Sequence, residues 1–215
     1  MFSPTRQQLI AALSLPGFED WRPRVDVPDL NRPRSRPKGL PGSGRIAAVM
    51  MLIYPGPANG ESIIVLTKRH ASLSKHASQI SFPGGRLDAG ESLLQTALRE
   101  THEEIGIETS RIEILGKLNP VYIPPTDFLV TPFVGWHRGR PSFIPSEHEV
   151  EQIIEAPLAQ LIQPSTLVLG DVIRSNGQTL TVYFYQINEH RVWGATAIML
   201  GELLERISRV VPGEG

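Results

Sequence analysis

The chain has 215 residues, of which 40% are hydrophobic and 20% are charged, with a formal net charge of -1 and no cysteine. This length suits one domain with a sizeable core, and the near-zero charge gives no electrostatic reason to expect nucleic acid or an anionic membrane as a partner. The absence of cysteine excludes disulfides, thiolate metal sites and a cysteine nucleophile. No apolar run reaches the roughly 20 residues of a membrane span, and the N-terminus lacks the basic region of a signal peptide, so we expect a cytoplasmic protein.

Residues 1–45 predict a short helix followed by an extended arm. Ser3 suits the N-cap of that helix and Pro4 its first position, because serine can cap free backbone amides and proline has no amide to cap. From Trp21 onwards the segment is rich in proline and arginine, and we interpret it as an arm packed on a domain formed by residues 46–215. Its basic side chains could contact an anionic ligand, although a solvated linker is the simpler interpretation.

The rest of the chain predicts strands with helices between and after them. A continuous apolar run at 47–54 predicts a strand buried on both faces, and residues 46–69 predict a hairpin around a turn rich in proline and glycine. Residues 82–85 predict a loop and residues 90–105 a helix. Further strands are predicted at about 112–118, 128–136 and 179–187, and a closing helix at 195–211. This order predicts a layered α/β or α+β domain.

The predicted helix at 90–105 carries an unusual cluster of carboxylates. Glu100, Glu103 and Glu104 lie together and away from the apolar stripe of that helix. The stripe consists of Leu94, Ala97, Leu98, Thr101 and Ile105. Like charges three and four residues apart destabilise a helix by a few tenths of a kcal/mol per pair, and Arg99 can offset only part of this through Glu103. A solvated acidic face is one interpretation of this cluster.

A divalent-cation site is the other interpretation, and the residues before the helix favour it. Gly84 and Gly85 allow backbone carbonyls to approach a bound ion closely. Carboxylate and carbonyl oxygens are the ligands that Mg²⁺ and Mn²⁺ prefer, and these ions also bridge to substrate phosphates. A bound cation would turn the repulsion among the glutamates into a binding site.

These residues also resemble the signature of the Nudix family. The Nudix box reads G-x5-E-x7-R-E-U-x-E-E-x-G-U, where U is a bulky apolar residue. The chain supplies its fixed positions with Gly85, Glu91, Arg99, Glu100, Glu103, Glu104 and Gly106, with Thr101 and Ile107 at the U positions. A chance match of this kind is on the order of 10⁻⁸ per window. The resemblance implies the Nudix fold, an α/β/α sandwich around a mixed sheet, and hydrolysis of a nucleoside diphosphate linked to another moiety.

The resemblance implies roles for the residues of the box. Glu100 and Glu104 would be direct ligands of Mg²⁺ or Mn²⁺, with Glu103 as a third ligand and the carbonyl of Gly84 as a further one. Arg99 would orient the glutamates rather than contact the substrate. The metal would lower the pKa of water and neutralise charge on the phosphates.

The general base of the reaction is left open. Glu100 or Glu103 could deprotonate a metal-bound water, and so could a carboxylate of the later segment 147–151, in which Glu149 is the main candidate. A solvated loop before a strand is the simpler interpretation of that segment.

A second motif, upstream of the box, resembles the signature of coenzyme A (CoA) pyrophosphatases, L-L-T-x-R-[S/A]-x3-R-x3-G-x3-F-P-G-G. The matching positions are Val65–Thr67, Arg69 and Phe82–Gly85, and the chain departs from the signature at His70, Ser74 and Ser78. The resemblance extends over about residues 46–207 and implies CoA or an acyl-CoA as substrate, cleaved to 3′,5′-ADP and (acyl-)phosphopantetheine. Ser74 replaces the second arginine, and serine lacks the planar donor set that arginine presents to phosphate.

Candidate contacts to the substrate flank this motif. The basic candidates for phosphate binding are Lys68, Arg69, Lys75 and His76, although a basic surface cluster at a strand end is the simpler interpretation. The candidates for stacking on a base are Tyr122, Phe128 and Trp136, although lone aromatic residues in strands usually belong to the core.

Two other functions remain open from the sequence. The departures at Ser74 and Ser78 favour a different nucleoside diphosphate substrate, such as ADP-ribose or a dinucleotide. A binding module without catalysis is the other alternative, and the intact set of glutamates argues against it. The family resemblance implies that the protein forms a homodimer.

Overall fold

The computed structural model describes residues 3–19, 21, 44–57, 60–70, 79–173 and 177–211. The helices are α1 (Arg6–Leu13), α2 (Leu93–Ile105), α3 (Leu158–Leu161) and α4 (Gly194–Val210). The strands are β1 (Arg45–Pro55), β2 (Ser62–Arg69), β3 (Ile80–Ser81), β4 (Gly84–Arg86), β5 (Ile112–Lys117), β6 (Val121–Ile123), β7 (Phe128–His137), β8 (Val150–Pro157), β9 (Leu167–Ile173), β10 (Thr179–Ile187) and β11 (His190–Val192). None of the helices in these ranges is both long enough and apolar enough to cross a bilayer.

The larger sheet has eight strands and is mixed. Its main path is β3-β2-β1-β7-β5, with β4 paired to β1, β6 to β7 and β8 to β2. Strands β1 and β7 run parallel, whereas β1 and β2 form an antiparallel pair in which Ile53 lies opposite Ile64. The predicted hairpin at 46–69 is therefore confirmed. Strands β9, β10 and β11 form a separate antiparallel sheet.

Alternating side chains of β1 enter two separate cores. Ala47 and Met51 pack in a core that also contains residues of α1 and α4. Ala48 and Met50 pack in a second core with Ala97 of α2. The sheet thus lies between α2 on one face and α1 and α4 on the other, which confirms the predicted α/β/α sandwich and the strand buried on both faces.

The prediction of a loop at 82–85 is wrong in part. Gly84 and Gly85 belong to β4, where they lie opposite Val49 and Ala48 of β1. Glycine signals a turn when only its local preference is considered, but here it allows β4 to lie against β1. The short strands β3, β6 and β11 and the longer β9 were not predicted from the sequence, whereas β8 begins at the end of the segment 147–151, for which a loop before a strand is one interpretation.

The N-terminal helix begins two residues later than predicted. Thr5, not Ser3, is the N-cap, because the Thr5 hydroxyl accepts from the amide of Gln8 and the Gln8 side chain accepts from the amide of Thr5. This reciprocal capping box satisfies two otherwise free amides. Ser3 instead accepts a hydrogen bond of 2.6 Å from the amide of Ser62 on β2. The predicted arm lies almost entirely outside the described residues and stays a prediction.

A buried ion pair on α4 holds the segment that follows α1. Glu202 and Arg206 are 3.0 Å apart, with side chains only 2% and 8% exposed. The Arg206 guanidinium also donates to the carbonyls of Leu13 and Leu15 and lies 4.1 Å from the ring centroid of Phe18. The N-terminal segment is therefore attached to α4 by a charged group that is almost fully buried.

Candidate active site

The box helix α2 begins and ends at residues whose side chains suit those positions. Ser92 and Gln95 form a capping box at its start, so the helix begins at Leu93 and not near Gly90 as predicted. Gly106 ends it in the left-handed conformation, with φ of 74°. A side chain there would also overlap Ile144, so glycine is required on two grounds.

Arg99 is the centre of an ion-pair network on the exposed side of α2. Its guanidinium lies 2.7 Å from Glu91, 2.8 Å from Glu100 and 2.9 Å from Glu103. The pKa of Glu91 is lowered to about 2, mainly by hydrogen bonds from Arg99 and to a smaller extent by one from the Thr96 hydroxyl. One arginine thus offsets much of the repulsion expected among these carboxylates, and it does so by holding three of them around itself.

Glu104 lies in a different environment from the one predicted. It was expected away from the apolar stripe, but it is only 5% exposed. Seven residues place it within about 20° of Ala97 around the helix, which explains why it shares the buried side of α2. By contrast, the side chain of Glu103 is 53% exposed. The glutamates of the box therefore separate into one buried carboxylate, one half-buried carboxylate at Glu100 and one exposed carboxylate.

The buried carboxylate of Glu104 is only partly compensated by its protein environment. Its Oε2 atom is buried and has no hydrogen-bond partner among the described residues. Burial, together with the nearby charges of Glu100 and Glu149, raises the pKa of Glu104 to about 8, against the opposing effects of Arg69 and the Gly84 amide. Burial also raises the pKa of Glu100. A cation at this position would remove both penalties at once.

The glycines of β4 bring the backbone close to these carboxylates. A Cβ atom on Gly85 would overlap the carboxylate of Glu100, and a Cβ on Gly84 would overlap the carbonyl of Ala48. The carbonyl of Pro83 also accepts a 2.8 Å hydrogen bond from the amide of Met50, which fixes the start of β4 against β1. Only glycine allows this close contact between strand and helix side chain.

Arg69 and Glu149 reach the same site from other elements. Arg69 ends β2 and is half-buried, and Glu149 is an exposed residue just before β8 whose carbonyl accepts 2.8 Å from the amide of His70. The charges of both affect Glu104. Lys68 is paired with Glu151 at 2.6 Å. Lys75 and His76 lie outside the described residues.

Two of the three candidate aromatic residues are in no position to stack on a ligand. Tyr122 is 2% exposed and Trp136 is 8% exposed, and the Tyr122 hydroxyl donates to Asp127. Phe128 is half-buried at the start of β7. Of these three candidates, only Phe128 is partly exposed, and it lies at the end of the larger sheet that carries Glu100 and Glu104.

No preformed set of metal ligands exists among residues 3–19, 21, 44–57, 60–70, 79–173 and 177–211. In those ranges no group of three or more Asp, Glu and His side chains is arranged so that it could hold an ion. The network explains this, because Arg99 holds the carboxylates of Glu100 and Glu103 toward itself. The unpartnered oxygen of Glu104 and the oxygen-only donor set nevertheless fit a hard divalent cation.

The raised pKa of Glu104 predicts a pH dependence of stability in metal-free protein. The folded pKa of about 8 exceeds the ordinary glutamate pKa of 4.5, so between these values the native state binds a proton that the unfolded state releases. The free energy of unfolding should therefore fall as pH rises from 5 to 8, by about 1 kcal/mol per pH unit. Thermal unfolding in EDTA across this range measures it. A Glu104→Gln variant with the same slope would contradict the assignment of this slope to Glu104.

Comparisons with known proteins agree with this geometry. A family model described as the NUDIX domain matches residues 44–174. The chain is 37% identical over 172 residues to the Nudix hydrolase NudL of Photorhabdus laumondii, covering 80% of this chain and 89% of that protein. It is 33% identical over 183 residues to Nudix hydrolase 3 of Caenorhabditis elegans, covering 78% and 76%. The chain therefore belongs to the Nudix family, and it is a Nudix hydrolase.

The fold is also similar to a solved Nudix structure. A MutT/nudix family protein from Enterococcus faecalis superposes with a TM-score of 0.51 and 16% sequence identity, covering 79% of this chain and 62% of that one. At this identity the likeness concerns the fold alone, and it agrees with the mixed sheet between helical layers.

Proposed function

We propose that this enzyme hydrolyses the diphosphate bond of CoA or an acyl-CoA with Mg²⁺ or Mn²⁺, giving 3′,5′-ADP and (acyl-)phosphopantetheine. The observation that carries the proposal is the buried carboxylate of Glu104, whose Oε2 has no partner and which lies near the charges of Glu100 and Glu149. Such a group is costly unless a cation compensates it. The signature around Arg69 supports the choice of CoA among nucleoside diphosphate compounds.

Glu104 and Glu100 would hold the metal, with Glu103 and the carbonyl of Gly84 as further ligands. When bound, the ion supplies a water of lowered pKa and neutralises charge on phosphate oxygens. Arg99 contacts the carboxylates of Glu100 and Glu103 and would keep them oriented. The carboxylate ligands thus have a fixed neighbour that sets their direction before substrate arrives.

The proton of the attacking water needs an acceptor, and the proposed candidates are Glu149, Glu103 and Glu100. Glu149 is exposed and lies within electrostatic reach of Glu104, while its backbone is fixed by hydrogen bonds with His70 and Ser146. Glu103 is also exposed but is paired with Arg99. Arg69 would bind a phosphate of the substrate, and Lys68 could do so only by leaving Glu151. Lys75 and His76 remain proposed phosphate contacts.

Product analysis tests the substrate. Purified protein is incubated with CoA and with ADP-ribose, in Mg²⁺ and then in Mn²⁺, and the nucleotide products are separated. We expect 3′,5′-ADP from CoA at a rate well above that of ADP-ribose cleavage. Cleavage of ADP-ribose with CoA untouched would favour the second candidate function, a diphosphatase for ADP-ribose or a dinucleotide, which Ser74 and Ser78 suggest because they replace residues of the CoA signature.

A Gly85→Ala variant tests the close contact between β4 and Glu100. The added methyl would displace the Glu100 carboxylate, and misplacing a catalytic group by about 1 Å can cost on the order of 100-fold in rate. We expect hydrolysis to fall by about tenfold or more with the fold retained, because the overlapping atoms end a flexible side chain. A Gly139→Ala variant is the control, since nothing lies within 4 Å of its Cβ position. Equal activities of the two variants would contradict the role of Glu100.

The division into residues 1–45 and 46–215, the homodimer and the cytoplasmic location stay predictions. The match to the family begins at residue 44, close to the proposed boundary.

A further inference from the structure

Most arginines of the described chain have a partner, and the exceptions differ in location. The guanidinium groups that pair with carboxylates are those of Arg6, Arg99, Arg111, Arg140, Arg206 and Arg209. Arg191 donates to a backbone carbonyl. Within the described ranges the guanidinium groups of Arg45, Arg69, Arg86 and Arg138 have neither an ion pair nor a hydrogen bond. Arg138 follows β7 at the far end of the larger sheet, whereas the other three lie at the end that carries the glutamates.

Strand register places one of these arginines opposite Phe128 and a second on the same face of the sheet. Arg45 lies opposite Phe128 of β7, and Ala47 lies opposite Arg86 of β4. Residues two apart on a strand share a face, so Arg45, Phe128 and Arg86 share one face of the sheet. Arg45 is about 10 Å along β1 from Ala48, the partner of Gly85 in the glutamate site, but it shares the face of Ala47, opposite the face on which Gly85 meets Glu100. A nucleotide that carries phosphates on both sides of its ribose would reach both groups around the ends of these strands.

Arg45 is held in place although it is exposed. Its guanidinium lies 5.6 Å from the ring centroid of Phe128. Its amide donates 2.8 Å to the carbonyl of Asp127, and Asp127 accepts 2.8 Å from the buried Tyr122 hydroxyl. An arginine stacked on a ring keeps its N–H donors at the edge of the guanidinium plane, where a phosphate can accept them in pairs.

We propose that Arg45, stacked on Phe128, binds the 3′-phosphate of the CoA-type substrate, while Arg86 contacts its diphosphate. This rests on the proposed function and names the group that distinguishes CoA from other nucleoside diphosphates. Ser74 stands where the resembling signature has its second arginine, so a phosphomonoester would lack a planar cationic partner unless another element supplies one. Arg45 supplies it from the start of β1.

Paired substrates test the assignment of Arg45. Rates are measured with CoA and with dephospho-CoA, which lacks the 3′-phosphate, for wild type, Arg45→Gln and Arg138→Gln. We expect Arg45→Gln to lower kcat/KM for CoA by about 10-fold or more through KM, and to leave dephospho-CoA within about twofold of wild type. Arg138→Gln is the matched control and should change neither. An equal loss for both substrates, or no loss for either, would overturn the proposal.

A binding measurement separates this proposal from the proposed function. Calorimetry compares 3′,5′-ADP with 5′-AMP on wild type and Arg45→Gln, so no turnover is required. We expect wild type to bind 3′,5′-ADP about 10-fold more tightly or better, and Arg45→Gln to lose that preference. If wild type cleaves no CoA yet keeps the preference, the proposed function fails and the role of Arg45 stands. Equal affinity of wild type for the two nucleotides would overturn the role of Arg45 whatever the turnover result.

Discussion

Replacing Glu104 with glutamine should abolish hydrolysis while making the metal-free protein more stable at pH 8. The variant keeps the size of the side chain but removes the negative charge that would hold a cation. Loss of metal-assisted charge neutralisation is worth several kcal/mol in the transition state, so kcat/KM should fall by about 1,000-fold or more. The free energy of unfolding should rise by on the order of 2 kcal/mol, because a buried, only partly compensated charge near Glu100 and Glu149 has gone.

The two effects of Glu104→Gln have opposite signs, which makes the result hard to mistake for misfolding. Rates are measured in Mg²⁺ and in Mn²⁺, and chemical unfolding is measured in EDTA. The matched control is Glu108→Gln, since Glu108 is an exposed carboxylate just past the same helix. Unchanged turnover in Glu104→Gln would remove the metal site from this position, and lower stability would mean that the buried charge is compensated by something else.

Removing Glu202 should be among the most destabilising single changes in the chain. Arg206 would keep its charge at 8% side-chain exposure, and its remaining partners in the described part of the chain would be the carbonyls of Leu13 and Leu15 and the ring of Phe18. Breaking a buried pair by deleting one partner costs about 3–5 kcal/mol. Urea unfolding of Glu202→Ala measures this as a lower midpoint at a similar slope.

Two further variants show whether burial is the cause. Glu108→Ala breaks an exposed pair, in which Arg111 and Glu108 are 66% and 65% exposed, and should change stability by only about 0.5 kcal/mol or less. A double variant, Glu202→Met with Arg206→Met, removes both charges and should regain part of the loss. If Glu202→Ala were as mild as Glu108→Ala, the ion pair would not be what holds the N-terminal segment to α4.

The grouping of charged residues on α2 could be predicted from the sequence because it depends on spacing within one helix. The positions of Arg99 and Glu103 are four residues apart, and helix geometry alone brings them within the observed 2.9 Å. The Nudix box, the helix and the larger strands follow from the same kind of local pattern. Glu104 shows the limit of such patterns, since it lies at the border of the apolar stripe and only the packing of α2 against β1 decides that it is buried.

What the tertiary structure decided depends on pairing between distant segments. Gly84 and Gly85 predict a turn by their local preference and become a strand only because β1 lies beside them. Ser3 looks like a cap and instead bonds to Ser62, almost 60 residues away. Arg45, Phe128 and Arg86 come from three strands and share a face only through their register. Helical spacing in the amino-acid sequence is enough to group the charged residues of the candidate site. Which of them are buried, and which arginines share a face of the sheet, depends on strand pairing, because strand partners are selected by burial over the whole chain.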